Sequence, residues 1–213
     1  MTIPDVIQQR GIAELLHFTT NRGALGVLAC NAIKPLARLK KDPQLEKIFF
    51  PNAKDRSRDA AWHDYVNLSI TSINSRFFSI SANNWHREQN FWWAIFSINP
   101  EVMDHNGVYF ATTNNMYSGV SRGVGERGLQ SLFASNIEQW RGKTVFRQEG
   151  VPENQPTCNQ AEVLYPGELS TDYIQEVYVY NEDCGDELAG QMAAVGHSHI
   201  PISVKKSLFG VIE

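Results

Sequence analysis

A carboxylate stands at Glu162 in the run Asn159-Gln160-Ala161-Glu162-Val163-Leu164, after a long polar loop and at the start of an apolar strand. Gln160, two residues earlier, shares its strand face. A carboxylate at the mouth of a strand can accept a hydrogen bond from a ribose hydroxyl. It can also stabilise the positive charge that develops at an anomeric carbon as the bond to a leaving group lengthens, much as in glycoside cleavage. On its own Glu162 reads as an exposed edge-strand acid. Three further groups change that reading: His17-Phe18-Thr19 at a strand end, the pair Arg56 and Arg58 in a basic segment, and the strand Asn67-Leu68-Ser69-Ile70-Thr71.

Other motifs carry less. Gly123-Val124-Gly125-Glu126-Arg127-Gly128 fits GxGxxG to the letter. A dinucleotide fingerprint needs a strand immediately before it and a helix opening on it, inside a βαβ unit. The polar stretch at 112–122 precedes it here, so a mobile loop carrying Arg122 and Arg127 is expected instead. His197-Ser198-His199 has no cysteine or acid at ligand spacing, so a surface turn before Pro201 is expected and no metal. There is no GxSxG, and no cysteine sits with a histidine in an identifiable electropositive setting.

These groups need strands to position them. The segment GIAELLHFT reads as a short helix running into a strand that ends near Thr19, and 22–32 as a helix with Asn21 placed to cap it. Residues 34–62 are basic, poorly patterned and interrupted by Pro35, Pro43 and Pro51, so short helices and loops are expected. Residues 65–73 alternate as a half-buried strand, and 90–98 are continuously apolar and aromatic, as a central strand is. Short strands are expected at 108–111, 161–165 and 173–180, a helix at 129–140, and a long loop at 141–159. Strands joined by irregular loops suggest an α+β fold on a largely antiparallel sheet, with one domain over 1–213.

Composition permits this and excludes some classes. The 213 residues are 42% hydrophobic and 20% charged, ordinary for a globular domain, with no apolar run of membrane-spanning length. The first residues lack the pattern of a signal peptide, and three widely spaced cysteines without a CxxC pair fit a reducing cytoplasm. The net charge of −4 is unevenly spread: residues 34–58 carry eight Lys/Arg against three acids, and residues 148–213 two Lys against eleven acids. Such polarity lets a polyanion bind at one place, although a solvated helix face beside an unrelated acidic surface gives the same numbers. Within 119–147 five cations (Arg122, Arg127, Arg141, Lys143, Arg147) stand among Tyr117, Phe133 and Trp140. Basic side chains interleaved with aromatic faces suit a single-stranded nucleic acid, whose bases are already free of a duplex stack.

HFT near the N-terminus, an Arg-rich element before HDYVNLSIT, and QAEVL near residue 160 together resemble the DarT family of bacterial DNA ADP-ribosyltransferase toxins, in order and spacing over about residues 12–180. The resemblance implies an ADP-ribosyltransferase-like fold of the PARP and diphtheria-toxin kind, NAD as co-substrate, and a substrate-recognition region at about 112–159. His17 and Thr19 would hold the nicotinamide riboside, with backbone near Phe18 pairing with the carboxamide, and Gln160 would belong to the same subsite. Glu162 would be the catalytic glutamate. RSRD registers two ways on the catalytic arginine, with Arg56 slightly favoured over Arg58, and the other would bind backbone phosphate. Ser69 would contact nicotinamide, and Phe77 and Phe78 would stack on its ring or pack the core. At SITSINSRFF the sequence departs from the family's usual LSIS-Phe-Pro-Asn run.

The expected function is transfer of ADP-ribose from NAD onto a base in single-stranded DNA. Thymine is favoured as acceptor and guanine is possible. Action on RNA or protein, or a non-catalytic nucleic-acid-binding domain, are the alternatives. Such a toxin would have a cognate antitoxin with a macrodomain.

Overall fold

The computed structural model of the chain describes residues 1–39, 41, 52, 57–87 and 91–210. The order begins α1 (Ile3–Arg10), β1 (Leu15–Thr20), α2 (Asn21–Cys30), β2 (Ala32–Ile33), α3 (Leu36–Leu39) and, after a 3₁₀ turn at Ser57–Trp62, β3 (Tyr65–Ile70) and α4 (Ser75–Ile80). It continues with β4 (Trp93–Ile98), β5 (Tyr109–Ala111), β6 (Arg122–Val124), α5 (Gly125–Ser131), β7 (Asn136–Trp140) and β8 (Lys143–Phe146). It ends with β9 (Glu162–Pro166), β10 (Leu169–Ser170), β11 (Ile174–Val179), α6 (Glu182–Val195) and β12 (Ile202–Val204).

Among the described residues eight strands form the central sheet, in the order β12-β11-β4-β1-β3-β9-β5-β6. Every neighbouring pair is antiparallel except β11 with β12. β4 is buried at all six positions, as a strand covered on both faces must be, and its side chains divide between two cores. Ala94, Phe96 and Ile98 join Leu15, Val27, Leu68, Val163 and Val177 on one face, while Trp93 and Ile95 join Leu16, Phe18, Phe78 and Phe209 on the other. The period of two in β3 (Val66, Leu68 and Ile70 inward to the first core) turns Tyr65, Asn67 and Ser69 to the opposite face.

Several expected elements differ. α2 is capped by Thr20, not Asn21: the Thr20 hydroxyl accepts from the Gly23 N–H at 3.2 Å, and Asn21 is already helical. The helix expected at 129–140 stops at Ser131, and β7 and β8 follow as a hairpin. Ile137 and Gln139 are buried while Asn136 and Glu138 are exposed, a period of two, and Gly142 closes the turn at a φ of 80°. α6 has no counterpart among the expected elements. It is bounded by an Asn181 side chain accepting from the Cys184 N–H, by Glu182 and Asp183 in its first turn, and by Gly196 in the left-handed conformation.

Candidate active site

The site begins where two strands part. β1 and β3 pair only at Leu15↔Ile70 and Leu16↔Ser69, while β1 continues along β4 as far as Thr20↔Trp93 and β3 continues along β9. Beyond Leu16 the sheet therefore opens into a cleft of about 620 Å³, lined by both parted strands, by α2 and α4, by the Lys34–Leu36 segment and by residues 114–117. That size falls within the roughly 300–1,000 Å³ of small-molecule sites. His17, the first residue of β1 beyond its pairing with β3, reaches across: its Nδ1 lies 3.0 Å from the Asn67 carbonyl oxygen. A carbonyl only accepts, so Nδ1 carries the proton and Nε2 of the neutral ring is left as an acceptor. Burial holds the imidazole below its ordinary value, outweighing the Asn67 bond that raises it, so the neutral form prevails.

Thr19 shares the face of His17 and is buried. Its hydroxyl fills the space where Gly23 has no side chain: a Cβ at 23 would sit 2.0 Å from Thr19 Oγ1. On the preceding residue of the strand, the Phe18 carbonyl accepts from Asn52 Nδ2 at 2.7 Å, and Asn52's own carbonyl accepts from Ser81 Oγ at 2.7 Å.

Glu162 opens β9 opposite Ala111 and is 8% exposed, not the open edge-strand acid it resembles in isolation. The chain leaving β5 folds back over it. Thr112 N–H donates to the Ser121 carbonyl and Ser121 N–H to Thr112 Oγ1, which closes the neck of a loop. Within it the Asn115 N–H donates to Glu162 Oε2 at 2.7 Å. Cys158 Sγ donates to Thr113 Oγ1 at 3.3 Å, tying the loop to the segment that leads into Glu162. Tyr117 meets Trp140 edge-on, centroids 5.3 Å apart, and Gly119 packs on the Trp140 backbone, where a Cβ would come within 3.2 Å.

Three buried amide atoms at this cleft have no hydrogen-bond partner among the described residues: Asn74 Nδ2, Asn115 Nδ2 and Gln160 Oε1. A buried unpaired donor or acceptor costs about 1–3 kcal/mol, so clusters of them mark places where something else supplies the partner. Two donors and an acceptor in a largely apolar cleft beside a carboxylate suit ligands that bring carbonyl and hydroxyl groups of their own.

The structure brings together His17, Phe18, Thr19, Ser69, Phe77, Gln160, Glu162 and Arg58 around this cleft. Arg58 is exposed on the 3₁₀ turn, while Arg56 lies outside the described residues. Phe77 and Phe78 separate. Phe77 faces the cleft between Phe18 and Trp85, and Phe78 is 3% exposed in the second core, edge-on to Phe18, Trp93 and Phe209. Successive helical residues point about 100° apart, so the two cannot share one role.

The expected DNA-facing cations separate as well. Arg141 and Lys143 are exposed at the β7–β8 turn, with Lys143 Nζ 4.3 Å from the Trp140 ring centroid, and Arg127 lies on α5. Arg147 instead staples the following loop, donating to the carbonyls of Gln155 and Pro152 at 2.8 Å. Arg122 grips Asn115 and lies over the Trp62 ring. The GxGxxG glycines serve packing: a Cβ on Gly128 would come 2.5 Å from the Gly123 carbonyl carbon, so β6 and α5 cross where neither has a side chain. Asn74, Asn114 and Asn115 line the cleft without any signal in the sequence, since asparagines in polar loops ordinarily make turns.

A family model described as DarT, ssDNA thymidine ADP-ribosyltransferase, matches residues 16–210. No curated protein matches. Among solved structures, Thermus sp. 2.9 DarT in complex with carba-NAD+ superposes with a TM-score of 0.66 at 14% identity, covering 92% of this chain and 97% of that one. The same protein in complex with ADP-ribosylated ssDNA gives 0.62 at 15% identity, over 93% and 96%. Thermosipho africanus DarTG in complex with ADP-ribose gives 0.60 at 14% identity, over 92% of this chain and 51% of that one. Among the described residues no helix is long and apolar enough to cross a membrane.

Proposed function

The chain belongs to the DarT family of ssDNA thymidine ADP-ribosyltransferases, and from that membership we propose how its own residues divide the work of an NAD-dependent transfer onto single-stranded DNA. The whole chain acts as one transferase domain, with residues of about 112–159 meeting the acceptor. NAD supplies the ADP-ribosyl group and a nicotinamide that leaves. His17 Nε2, unprotonated, accepts from a ribose hydroxyl, and Thr19, Ser69 and Gln160 complete the nicotinamide riboside subsite with Phe77 against the ring. Arg58, exposed at the rim, holds phosphate or orients the base, and Arg56, two residues earlier in the sequence, is the other candidate for that role.

Glu162 stabilises the positive charge developing at the anomeric carbon and takes the proton of the attacking base nitrogen. The observation that carries this reading is the convergence of His17, Ser69 and Glu162, from three different strands, on one cleft whose buried amides lack partners among the described residues. Exposed Arg141 and Lys143 with Trp140 offer phosphate and stacking contacts to a single strand. Thymine is the acceptor the family favours. The biological setting we infer is a cytoplasmic toxin paired with an antitoxin whose macrodomain removes the modification, a pairing that fits an enzyme able to damage its host's DNA.

Replacing Glu162 with glutamine keeps the Asn115 N–H bonded to a side-chain oxygen while removing the charge. The expected outcome is a fall in oligonucleotide labelling of about 10²-fold or more, with NAD binding retained. Mass analysis of digested oligonucleotides identifies the modified base. Full NAD consumption and DNA labelling by the Glu162 variant would show that another residue directs the transfer.

A further inference from the structure

Arg122 donates from Nε to Asn115 Oδ1 at 2.6 Å and from Nη2 to the Asn115 carbonyl at 2.8 Å. A guanidinium has only donors, so these bonds fix the amide with its oxygen toward Arg122 and leave Nδ2 turned away from it. Asn115 is 2% exposed, lines the cleft, and its Nδ2 has no partner among the described residues. The backbone N–H of the same residue holds Glu162 Oε2 at 2.7 Å. One residue therefore carries both an unpartnered buried donor and the N–H that holds the carboxylate.

We propose that Asn115 is the specificity-determining residue for the acceptor base, pairing its Nδ2 with Glu162 to read a ring N–H that lies beside a carbonyl. This rests on the reading of the chain as a base ADP-ribosyltransferase. Thymine offers such an edge, N3–H between two carbonyl oxygens, and guanine offers N1–H beside O6. Cytosine and adenine offer the reverse, an acceptor nitrogen beside an amino donor. Both would set lone pair against carboxylate, and on the amino side N–H against N–H, the kind of mismatch that rejects a wrong partner.

The same donor assists the reaction. The ring N–H proton passes to the Glu162 carboxylate, and the nitrogen forms its new bond to the ribose anomeric carbon. The bond from that carbon to the nicotinamide nitrogen breaks, and nicotinamide leaves with the electron pair. As the proton departs, negative charge spreads onto the carbonyl oxygen beside the nitrogen. A hydrogen bond from Nδ2 to that oxygen then becomes charge-assisted and strengthens toward the transition state. Arg122 is the positioning residue that keeps Nδ2, not Oδ1, on the substrate side.

The test uses the full chain, NAD, and single-stranded oligonucleotides carrying one thymine, one 2-thiothymine or one 4-thiothymine. Asn115→Ala is expected to lower kcat on thymine by about 10²–10³-fold, the range for losing one preorganised donor, with NAD affinity within about twofold of the parent. Asn115→Asp, nearly isosteric and without the donor, is expected to lose at least as much, and it decides the matter if the alanine variant does not fold. Sulfur accepts hydrogen bonds weakly, so the ratio of parent to Asn115→Ala rates should collapse on one of the two thio-bases. A merely structural role would leave that ratio unchanged. The proposal is overturned if Asn115→Ala keeps kcat within about threefold, if the ratio is the same on all three bases, or if NAD affinity falls in step with activity. A parent that modifies none of the oligonucleotides overturns the underlying transferase reading instead.

Discussion

Alanine at position 23 puts a Cβ 2.0 Å from Thr19 Oγ1, 3.2 Å from Thr19 Cβ and 3.4 Å from Thr19 Cγ2. Two opposing effects follow. Gly23 lies in the first turn of α2, and a helical glycine exchanged for alanine gains up to about 0.8–1.0 kcal/mol of propensity. Against this, Thr19 is β-branched, buried and paired with Ala94 across β4, so its side chain has little freedom to rotate away. Forced overpacking of this kind costs about 1–3 kcal/mol. The clash wins, and the net loss of about 0.5–2 kcal/mol lowers Tm by roughly 1–8 °C for a chain of this length. Relief requires either a turn of the Thr19 hydroxyl or a tilt of α2, and both move that hydroxyl from its place on the cleft wall. Losing one hydrogen bond of about 1 kcal/mol weakens NAD binding about fivefold. Thermal melts and calorimetric NAD titrations of Gly23→Ala, Thr19→Ala and the double variant separate the two effects. The double variant should melt above Gly23→Ala yet bind NAD no better than Thr19→Ala. A Gly23→Ala protein with a raised Tm and unchanged NAD affinity would refute the reasoning.

His17 is held below its ordinary value of 6.5 by burial, so above pH 6.5 folded and unfolded chains are both neutral there. As pH falls below 6.5 the unfolded chain takes up a proton that the folded chain resists, so stability declines until the lowered folded value is passed. NAD affinity should stay level from pH 8 to 6.5 and drop only below that lowered value, in titrations repeated against His17→Gln. Phe78→Ala should cost about 3–5 kcal/mol in a chemical melt, as core phenylalanines do, whereas Phe77→Ala should act chiefly on NAD affinity. Arg141→Ala with Lys143→Ala should flatten the dependence of log K for a single strand on log salt, by about 0.7 for each phosphate these cations neutralise. Arg147→Ala should leave that slope unchanged while making 148–157 more open to proteolysis.

The framework of the site was legible because its signals are local. The alternation in β3, the unbroken apolar run of β4 and the apolar start of β9 each follow from which faces are covered. β7 was hidden because Leu129, Leu132 and Phe133 start a helical stripe that Ile137 happens to extend, although Asn136–Trp140 also alternates. α6 was readable from its Asn181 cap and Gly196 stop, signals as plain as any in the chain. What no local pattern carries is the point at which β1 leaves β3, or the return of the 112–121 loop over Glu162. Both depend on partners far away in sequence. The same holds for Arg122: a cation among aromatics suggests phosphate, and only the folded loop shows it committed to Asn115.

The parting of β1 and β3 has a further consequence. Two strands that separate inside one sheet create a pair of inner edges, and an unsatisfied edge is a template that seeks a backbone-like partner. Here small planar groups do that duty: the imidazole of His17 on the Asn67 carbonyl, and the carboxamide of Asn52 on the Phe18 carbonyl. A carboxamide carries the same kinds of donor and acceptor as a peptide unit, so Asn52 gives the Phe18 carbonyl the partner that a neighbouring strand would have supplied.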